Sequence, residues 1–130
     1  MKNDNHVWDN KHPTAQMLGR WQPWHAGHQK LFEEILKKTG QVNIMVRDVQ
    51  GIDDNPFDFQ TVKTNIEKAL FEYKGRFKVS LVPNITNICY GRSVGYKIEE
   101  IKLPEQIQKI SATKIRNKMR LMGKLKKVTV

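Results

Sequence analysis

The sequence has one cysteine, no long apolar run and no internal repeat. A single cysteine, Cys89, cannot form an internal disulfide, so the composition fits a reducing cytoplasm and predicts a buried structural thiol. The longest largely apolar runs, VNIMV and KVSLV, are far shorter than the roughly 20 residues that span a bilayer. The first residues, MKNDNHVWDNKH, lack the apolar core of a signal peptide. We therefore expect a cytoplasmic protein with no membrane partner.

Charge is the strongest feature of the composition. Lysine and arginine number 23 and acidic residues 13, which gives a formal net charge of +10 over 130 residues. The excess predicts an anionic partner, but nucleic acid, a nucleotide, a phosphate ester and anionic lipid would all satisfy it. No helix-turn-helix, zinc-finger or RNP-type pattern is present, so a non-catalytic, basic nucleic-acid-binding domain is the less favoured alternative. Residues 1–13 form a polar N-terminal extension, and 14–130 fit one domain.

Hydrophobic periodicity predicts strands and helices in alternation. Strands are expected at 14–19, 42–46 and 77–83, with amphipathic helices that start at Gly27 and span 59–73. Weaker patterns indicate strands at 88–90 and within 96–103, and a last helix at 111–122 entered through serine or threonine caps. This order predicts an α/β fold, a Rossmann-like parallel sheet of about five strands with helices on both faces.

The stretch GRWQPWHAGH, residues 19–28, lies between the first predicted strand and the first helix. Ligands of such sheets bind outside the carboxyl ends of the strands, which is where this stretch falls. His25 and His28 flank Gly27 at spacing i, i+3, so both imidazoles can point one way at the helix entrance. Two structural histidines that cap a turn are the alternative. A zinc site would need a third ligand, and the sequence offers none.

A second candidate site is ISATKIR, residues 110–116, at the start of the last helix. Ser111 and Thr113 place hydroxyls beside the free N–H groups of a helix N-terminus, which attract anions. Arg116 lies one turn further on and could form a two-pronged contact with phosphate oxygens. A capping serine next to a surface arginine is the alternative.

Together the two stretches resemble the G-R-F-Q-P-F-H-x-G-H and I-S-S-T-x-I-R signatures of the nucleotidylyltransferase superfamily. Tryptophan replaces phenylalanine at 21 and 24, and Ala112 replaces the second serine. The resemblance implies transfer of a nucleotidyl group from a nucleoside triphosphate to an acceptor phosphate, with release of pyrophosphate. It also implies a magnesium ion bound through the nucleotide phosphates, with no metal ligands from the protein. The catalytic residues would be His25, His28 and Arg116, and the nucleotide-binding residues Gly19, Arg20, Trp21, Gly27, Ser111 and Thr113. The two tryptophans are expected to pack beneath the site rather than to stack on the base.

Two further segments bear on the nucleotide and the acceptor. The segment DNPFDFQTVK resembles the N-P-F segment of archaeal-type nicotinamide-mononucleotide adenylyltransferases, so Asn55, Pro56 and Phe57 are candidate substrate-binding residues; Phe57 in the core is the alternative. The segment PNITNICYGRSVGYKIEEI resembles cytidylyltransferase-like domains sometimes joined to adenylylsulfate kinases, and it contains Arg92, another candidate. We therefore favour transfer of CMP from CTP to a phosphorylated small molecule, with an adenylyltransferase that uses ATP as the alternative.

The acceptor side of the predicted domain is short. Only 27 residues, Pro83 to Lys109, lie between the third strand and ISATKIR. A full extra crossover helix barely fits in that length, so this side is reduced or shared with a second subunit. A homo-oligomer is therefore possible.

Overall fold

Three parallel strands form the sheet, in the order β1-β2-β3. The computed structural model describes residues 2, 4–49, 54–92 and 95–125. Its strands are β1 (Ala15–Gly19), β2 (Val42–Arg47) and β3 (Phe77–Val82). Its helices are α1 (Ala26–Thr39), α2 (Phe59–Ala69), a 3₁₀ turn (Phe71–Tyr73), α3 (Glu105–Gln108) and α4 (Ala112–Leu121). None of the described helices is long and apolar enough to cross a membrane.

The hydrophobic core lies on one face of the sheet. Met17 and Ile44 are register partners, and with Val42 and Val46 they are almost completely buried. The residues between them on β2 are only partly buried, as expected when successive side chains alternate between faces. Both long helices contribute to this same cluster, α1 through Phe32, Ile35 and Leu36, and α2 through Val62 and Ile66. The two helices therefore pack on the same face.

The ends of the two long helices are set by local sequence. Gly40 ends α1 in the left-handed conformation, with φ 77°, and its N–H donates to the carbonyl of Leu36. Asp58 begins α2, because its carboxylate accepts a hydrogen bond from the N–H of Thr61 at 2.8 Å. The α/β class and these elements agree with the sequence prediction.

The expectation of about five strands with helices on both faces is wrong in strand number. Within the described residues, neither 88–90 nor 96–103 forms a strand, and every described residue from 86 to 100 is exposed. Cys89 is exposed as well, so the buried thiol was also a wrong prediction. Alternation of apolar residues favours a strand only where a neighbouring edge pairs with it. Among these residues, only Ile101 packs against the core.

The polar N-terminal extension is docked against the amino ends of the strands. The side chain of Gln41, which is 0% exposed, donates from Nε2 to the carbonyl of Asp9 and to Thr14 Oγ1, each at 2.9 Å. Its Oε1 accepts from the N–H of Asp9 at 3.0 Å and lies 2.9 Å from Nε2 of His6. The segment is therefore held by a buried polar side chain rather than by apolar contacts.

Candidate active site at the carboxyl ends of the strands

The chain makes a sharp turn where β1 ends. Trp21 has a positive φ of 54°, which costs energy in a residue with a side chain, and it is only 6% exposed. Its indole N–H donates to the carbonyl of Met45 at 3.2 Å. A Cβ on Gly19 would lie 2.7 Å from the Trp21 ring, so glycine is required there by the tryptophan. Gly19 is also one of the nucleotide-binding residues that the motif predicts.

The two histidines of the motif cap α1 with their side chains. Nδ1 of His25 accepts from the N–H groups of Gly27 and His28, at 3.0 and 3.3 Å. Nδ1 of His28 accepts from the N–H of His25 at 3.1 Å. The rings stack with centroids 3.6 Å apart and an interplanar angle of 17°. A Cβ on Gly27 would lie 2.8 Å from Cε1 of His25, so this glycine makes room for the imidazole.

These contacts determine the protonation of both rings. Because each Nδ1 accepts a hydrogen bond, the proton of each neutral ring is on Nε2. Burial lowers the pKa of His28 to about 3, with a smaller contribution from His25, and burial also lowers the pKa of His25. Neither Nε2 has a partner among the described residues. The pair is therefore neutral at pH 7 and has two N–H groups available to a ligand.

The tryptophans lie beneath His28. The centroid of the Trp21 ring is 4.7 Å from that of His28 in an edge-on contact, and that of Trp24 is 5.5 Å away. Such contacts hold the imidazole in one orientation. The buried position of Trp21 supports packing, and it leaves no room for Trp21 as a platform for a base.

The start of α4 meets the histidine loop through Arg116. This side chain is 2% exposed, and its Nη1 donates to the carbonyl of Gln22 at 2.6 Å. Its Nη2 donates to Thr113 Oγ1 at 3.2 Å and lies 3.6 Å from a carboxylate oxygen of the exposed Asp54. Burial lowers the pKa of Arg116 and Asp54 opposes that shift, but an arginine stays charged at neutral pH. Ser111 caps the helix, accepting from the N–H of Lys114 at 3.3 Å.

This geometry differs from the simple fork onto phosphate that the sequence suggested. Both terminal nitrogens of Arg116 already have protein partners, and its buried Nε has no hydrogen-bond partner among the described residues. The guanidinium therefore holds the two motifs together, and only its contact with Asp54 faces solvent.

Gln22 is the residue that sequence reasoning missed. It is 2% exposed, and its side chain forms two hydrogen bonds with the backbone of Phe57: Nε2 donates to the carbonyl at 2.9 Å, and Oε1 accepts from the N–H at 2.8 Å. Its own carbonyl is the acceptor for Arg116. One residue thus joins the histidine loop, the segment before α2 and the start of α4. The only signal in the sequence was its place inside the motif.

The candidate substrate-binding residues lie in different places. Asn55 is 3% exposed, and its Oδ1 accepts from Nη1 of the exposed Arg20 at 3.3 Å, so these two belong to the site. Pro56 follows in the same segment, and Phe57 packs against the core, as its alternative interpretation held. Arg92 is exposed, and its only described contact is a hydrogen bond from the hydroxyl of Tyr96 to its carbonyl. Arg92 is therefore not brought to this site.

The site has few groups that could hold a metal ion of its own. Among the described residues, no three His, Cys, Asp or Glu side chains are grouped to bind one. A magnesium ion in this site would have mainly phosphate oxygens as ligands, which suits its preference for hard oxygen donors.

Neither models of known protein families nor curated proteins match this chain. The resemblance to nucleotidylyltransferases depends on the two motifs.

Proposed function

We propose that the protein transfers CMP from magnesium-bound CTP to the phosphate of a small molecule and releases pyrophosphate. The observation that carries this proposal is the hydrogen bond between Arg116 and the carbonyl of Gln22, at 2.6 Å. It joins two motifs that lie 94 residues apart in the sequence, so that one anion could contact both.

The proposed reaction is a displacement at the α-phosphorus. An oxygen of the acceptor phosphate forms the new bond to this phosphorus, and the bond to the oxygen that bridges to the β-phosphate breaks. That electron pair leaves with pyrophosphate. The acceptor phosphate is already anionic at pH 7, so the reaction needs no strong general base. Catalysis then depends on positioning and on stabilising charge.

His25 and His28 are suited to stabilising the charge that develops in the reaction. Each offers an Nε2–H donor whose orientation is fixed by the hydrogen bond at Nδ1. Pre-oriented donors stabilise charge that develops on phosphoryl oxygens without reorganising during the reaction. Because the pKa values of both rings are lowered, they act as neutral donors and not as cations.

The leaving pyrophosphate is assigned to the start of α4. Ser111 and Thr113 supply hydroxyls, the helix N-terminus supplies N–H groups, and Arg116 supplies positive charge. Arg20, which is exposed beside Asn55, is the cation assigned to the remaining phosphate contacts. A phosphate here would compete with the carboxylate of Asp54 for Nη2 of Arg116.

The test is a matrix of CTP, ATP, GTP and UTP against phosphorylated metabolites, with pyrophosphate release as the readout. The matched control is His28→Asn, which keeps an acceptor for the His25 N–H and removes the Nε2 donor. We expect pyrophosphate from the parent with CTP and one class of acceptor, and about 100-fold less from the variant.

Thermal stabilisation separates the alternatives. CTP with magnesium should raise the melting temperature more than ATP, because only a ligand that binds the folded state stabilises it. Stabilisation by ATP alone would assign the protein to adenylyl transfer. Absence of turnover, together with binding to random oligonucleotides that weakens steeply with salt, would favour the nucleic-acid-binding alternative.

A further inference from the structure

Two tyrosines and two cations lie together at the surface, in the part of the chain that follows β3. The rings of Tyr90 and Tyr96 meet edge to face, with centroids 5.5 Å apart and an interplanar angle of 87°. The hydroxyl of Tyr96 donates to the carbonyl of Arg92 at 2.9 Å, which ties this ring to the backbone at Arg92. Lys97 follows Tyr96 directly. These four residues are called here the tyrosine cluster.

Both rings of the cluster are open to solvent. Tyr90 is 53% exposed and Tyr96 is 49% exposed, and neither has a second ring contact among the described residues. An edge-to-face contact covers only part of each ring, so aromatic faces remain exposed. Ile88 and Ile98, on either side in the sequence, are exposed as well. Neighbouring exposed apolar groups mark interaction sites, and the cluster therefore has the features of a binding surface.

The charge of the cluster favours an anionic partner. The side chains of Arg92 and Lys97 are exposed, and neither forms an ion pair or a hydrogen bond among the described residues. Residues 73–98 contain five lysines and arginines and no aspartate or glutamate. Of the two carboxylates that follow, Glu99 is already paired with a lysine of α1 at 3.5 Å, and Glu100 is exposed. Cations that the protein itself does not neutralise attract phosphate groups.

The backbone around the cluster argues against a lipid surface. Within the described residues, 83–104 form no helix or strand. For residues 84–103, the backbone–backbone hydrogen bonds described are limited to that between the N–H of Ile85 and the carbonyl of Pro83. Peptide groups without partners are strongly disfavoured in the hydrocarbon of a bilayer. In water they remain free to form hydrogen bonds with the edges of unpaired bases.

The two rings also favour a single strand over a duplex. Aromatic side chains bind nucleic acid by stacking on the faces of bases, and a duplex covers these faces. Because the rings of Tyr90 and Tyr96 are nearly perpendicular, two bases stacked on them could not stay parallel to each other. A strand with splayed bases can adopt this arrangement, and a regular duplex cannot.

We propose that the tyrosine cluster binds single-stranded nucleic acid, with bases stacked on Tyr90 and Tyr96 and phosphates held by Arg92 and Lys97. Such stacking tolerates any sequence, since every base has an aromatic face. The proposal does not rest on the proposed reaction, because none of the four residues contacts the histidine pair or the start of α4 among the described residues.

The test is the fluorescence anisotropy of a labelled oligothymidine of about 12 nucleotides, titrated with the full chain. We expect this strand to bind about tenfold or more tightly than a duplex of the same length, which offers no base to either ring. Tyr90→Leu should weaken binding about fivefold or more, and Tyr90→Phe should bind like the parent, because only phenylalanine retains an aromatic face. Phe71→Leu is the matched control: Phe71 is 70% exposed on the 3₁₀ turn, and its variant should bind like the parent.

The salt dependence of binding tests the two cations. Arg92→Gln and Lys97→Gln should each reduce the slope of log affinity against log salt by about 0.7, the contribution of one phosphate of a single strand. Lys68→Gln, at an exposed position on α2, is the matched control and should leave the slope unchanged. Slopes that stay at the parent value in both cluster variants would contradict phosphate contacts at these residues.

Cys89 gives a readout that needs no substitution. Its exposed thiol precedes Tyr90, so saturating oligothymidine should slow its reaction with a thiol reagent, and a constant rate would place the strand elsewhere on the chain. Equal affinity for strand and duplex, unchanged in Tyr90→Leu, would show general attraction to the net charge and would overturn the proposal. Absence of binding at low salt would also overturn it. Binding to vesicles of anionic phospholipid in place of the oligonucleotide, lost in Tyr90→Leu, would assign the cluster to a membrane surface instead.

Discussion

The two ends of the sheet are built in opposite ways. At the amino end, the docked extension gives every polar atom of the buried Gln41 side chain a partner, and Asp4 forms an ion pair with Arg76 at 2.7 Å. At the carboxyl end, Trp21 has a positive φ, the Nε of Arg116 is buried without a hydrogen-bond partner in the described residues, and the partly buried His28 stacks on a second imidazole. At the amino end the buried polar atoms of Gln41 all have hydrogen-bond partners. At the carboxyl end the backbone is strained at Trp21, and N–H donors of His25, His28 and Arg116 have no partner among the described residues.

This contrast separates residues that stabilise the protein from residues that are available to a ligand. Unsatisfied donors and unusual backbone conformations persist only where the surrounding structure enforces them, and they cluster at functional sites. Substitutions at the amino end should therefore change stability, and substitutions at the carboxyl end should change binding and turnover more than stability.

The largest effect is expected at the amino end. Gln41→Leu removes four hydrogen bonds, two with Asp9 and one each with Thr14 and His6, and should lower the free energy of unfolding by about 4 kcal/mol, since each net hydrogen bond contributes about 1 kcal/mol. Urea unfolding measures this. Gln106→Leu, at an exposed position on α3, is the control and should change stability little. A loss below that of the control would mean that the extension does not stabilise the domain.

At the carboxyl end, His28→Asn should lower turnover about 100-fold, or about 2.7 kcal/mol in the activation free energy, because the Nε2 donor is lost. CTP affinity should change much less. His25→Asn should behave similarly. If the melting temperature of the variant falls strongly while its turnover per folded molecule stays at the parent value, the histidine is structural.

Arg116→Lys keeps the positive charge but cannot reach Gln22 and Thr113 at once. We expect a loss of about 2 kcal/mol in CTP binding, measured by calorimetry, because a lysine cannot hold the histidine loop and the start of α4 together as the guanidinium does. Arg120→Lys, one turn further along α4, is the matched control. If Arg116→Lys binds CTP as tightly as the parent, the anion site consists of backbone N–H groups without Arg116.

The lowered pKa of His28, about 3, makes stability depend on pH. Below pH 6.5 the unfolded chain takes up a proton at this residue and the folded chain does not, so stability falls as pH falls from about 6.5 toward 3. The slope is at most about 1.4 kcal/mol per pH unit. Unfolding at pH 7 and at pH 5 should therefore differ less in His28→Asn than in the parent. Equal slopes would indicate a normal pKa.

The smallest effect is expected from Asp54→Asn. Its carboxylate, which is 73% exposed, lies 3.6 Å from Arg116 and would have to give way to a phosphate. Removing the charge should tighten CTP binding by about two- to fivefold, within the range of exposed ion pairs. Weaker binding in the variant would place Asp54 among the groups that hold the nucleotide or its magnesium.

The sequence predicted the parts of this fold that local patterns control. Short, largely apolar runs located β1, β2 and β3 within one or two residues, and the serine or threonine caps located the start of α4. Those signals lie within a few residues of the elements they determine. The strands predicted at 88–90 and 96–103 do not form. A strand forms only where it can pair with the edge of a neighbouring strand, and no local sequence pattern reveals where such an edge lies.

In the site, too, local sequence patterns predicted some residues, whereas the roles of others depend on distant partners. The positions of His25, His28, Ser111 and Thr113 followed from motifs read along the chain. Gln22 and the internal use of Arg116 could not be predicted, because their partners lie 35 and 94 residues away. The docking of the extension on Gln41 could not be predicted for the same reason, because its contacts join residues 27 to 35 positions apart.

The extension also constrains the order in which the chain can assemble. Asp4 and Arg76 are 72 residues apart, and Gln41 lies between them in sequence. During synthesis, residues 4–14 leave the ribosome well before either partner, so they must wait, exposed and polar, until β3 has been made. Apart from Val7 and Trp8 these residues carry few apolar side chains, which suits that interval, because a strongly hydrophobic segment in the same position would be free to aggregate. The contact between Asp4 and Arg76 can therefore close only after the 71 residues between them have been made.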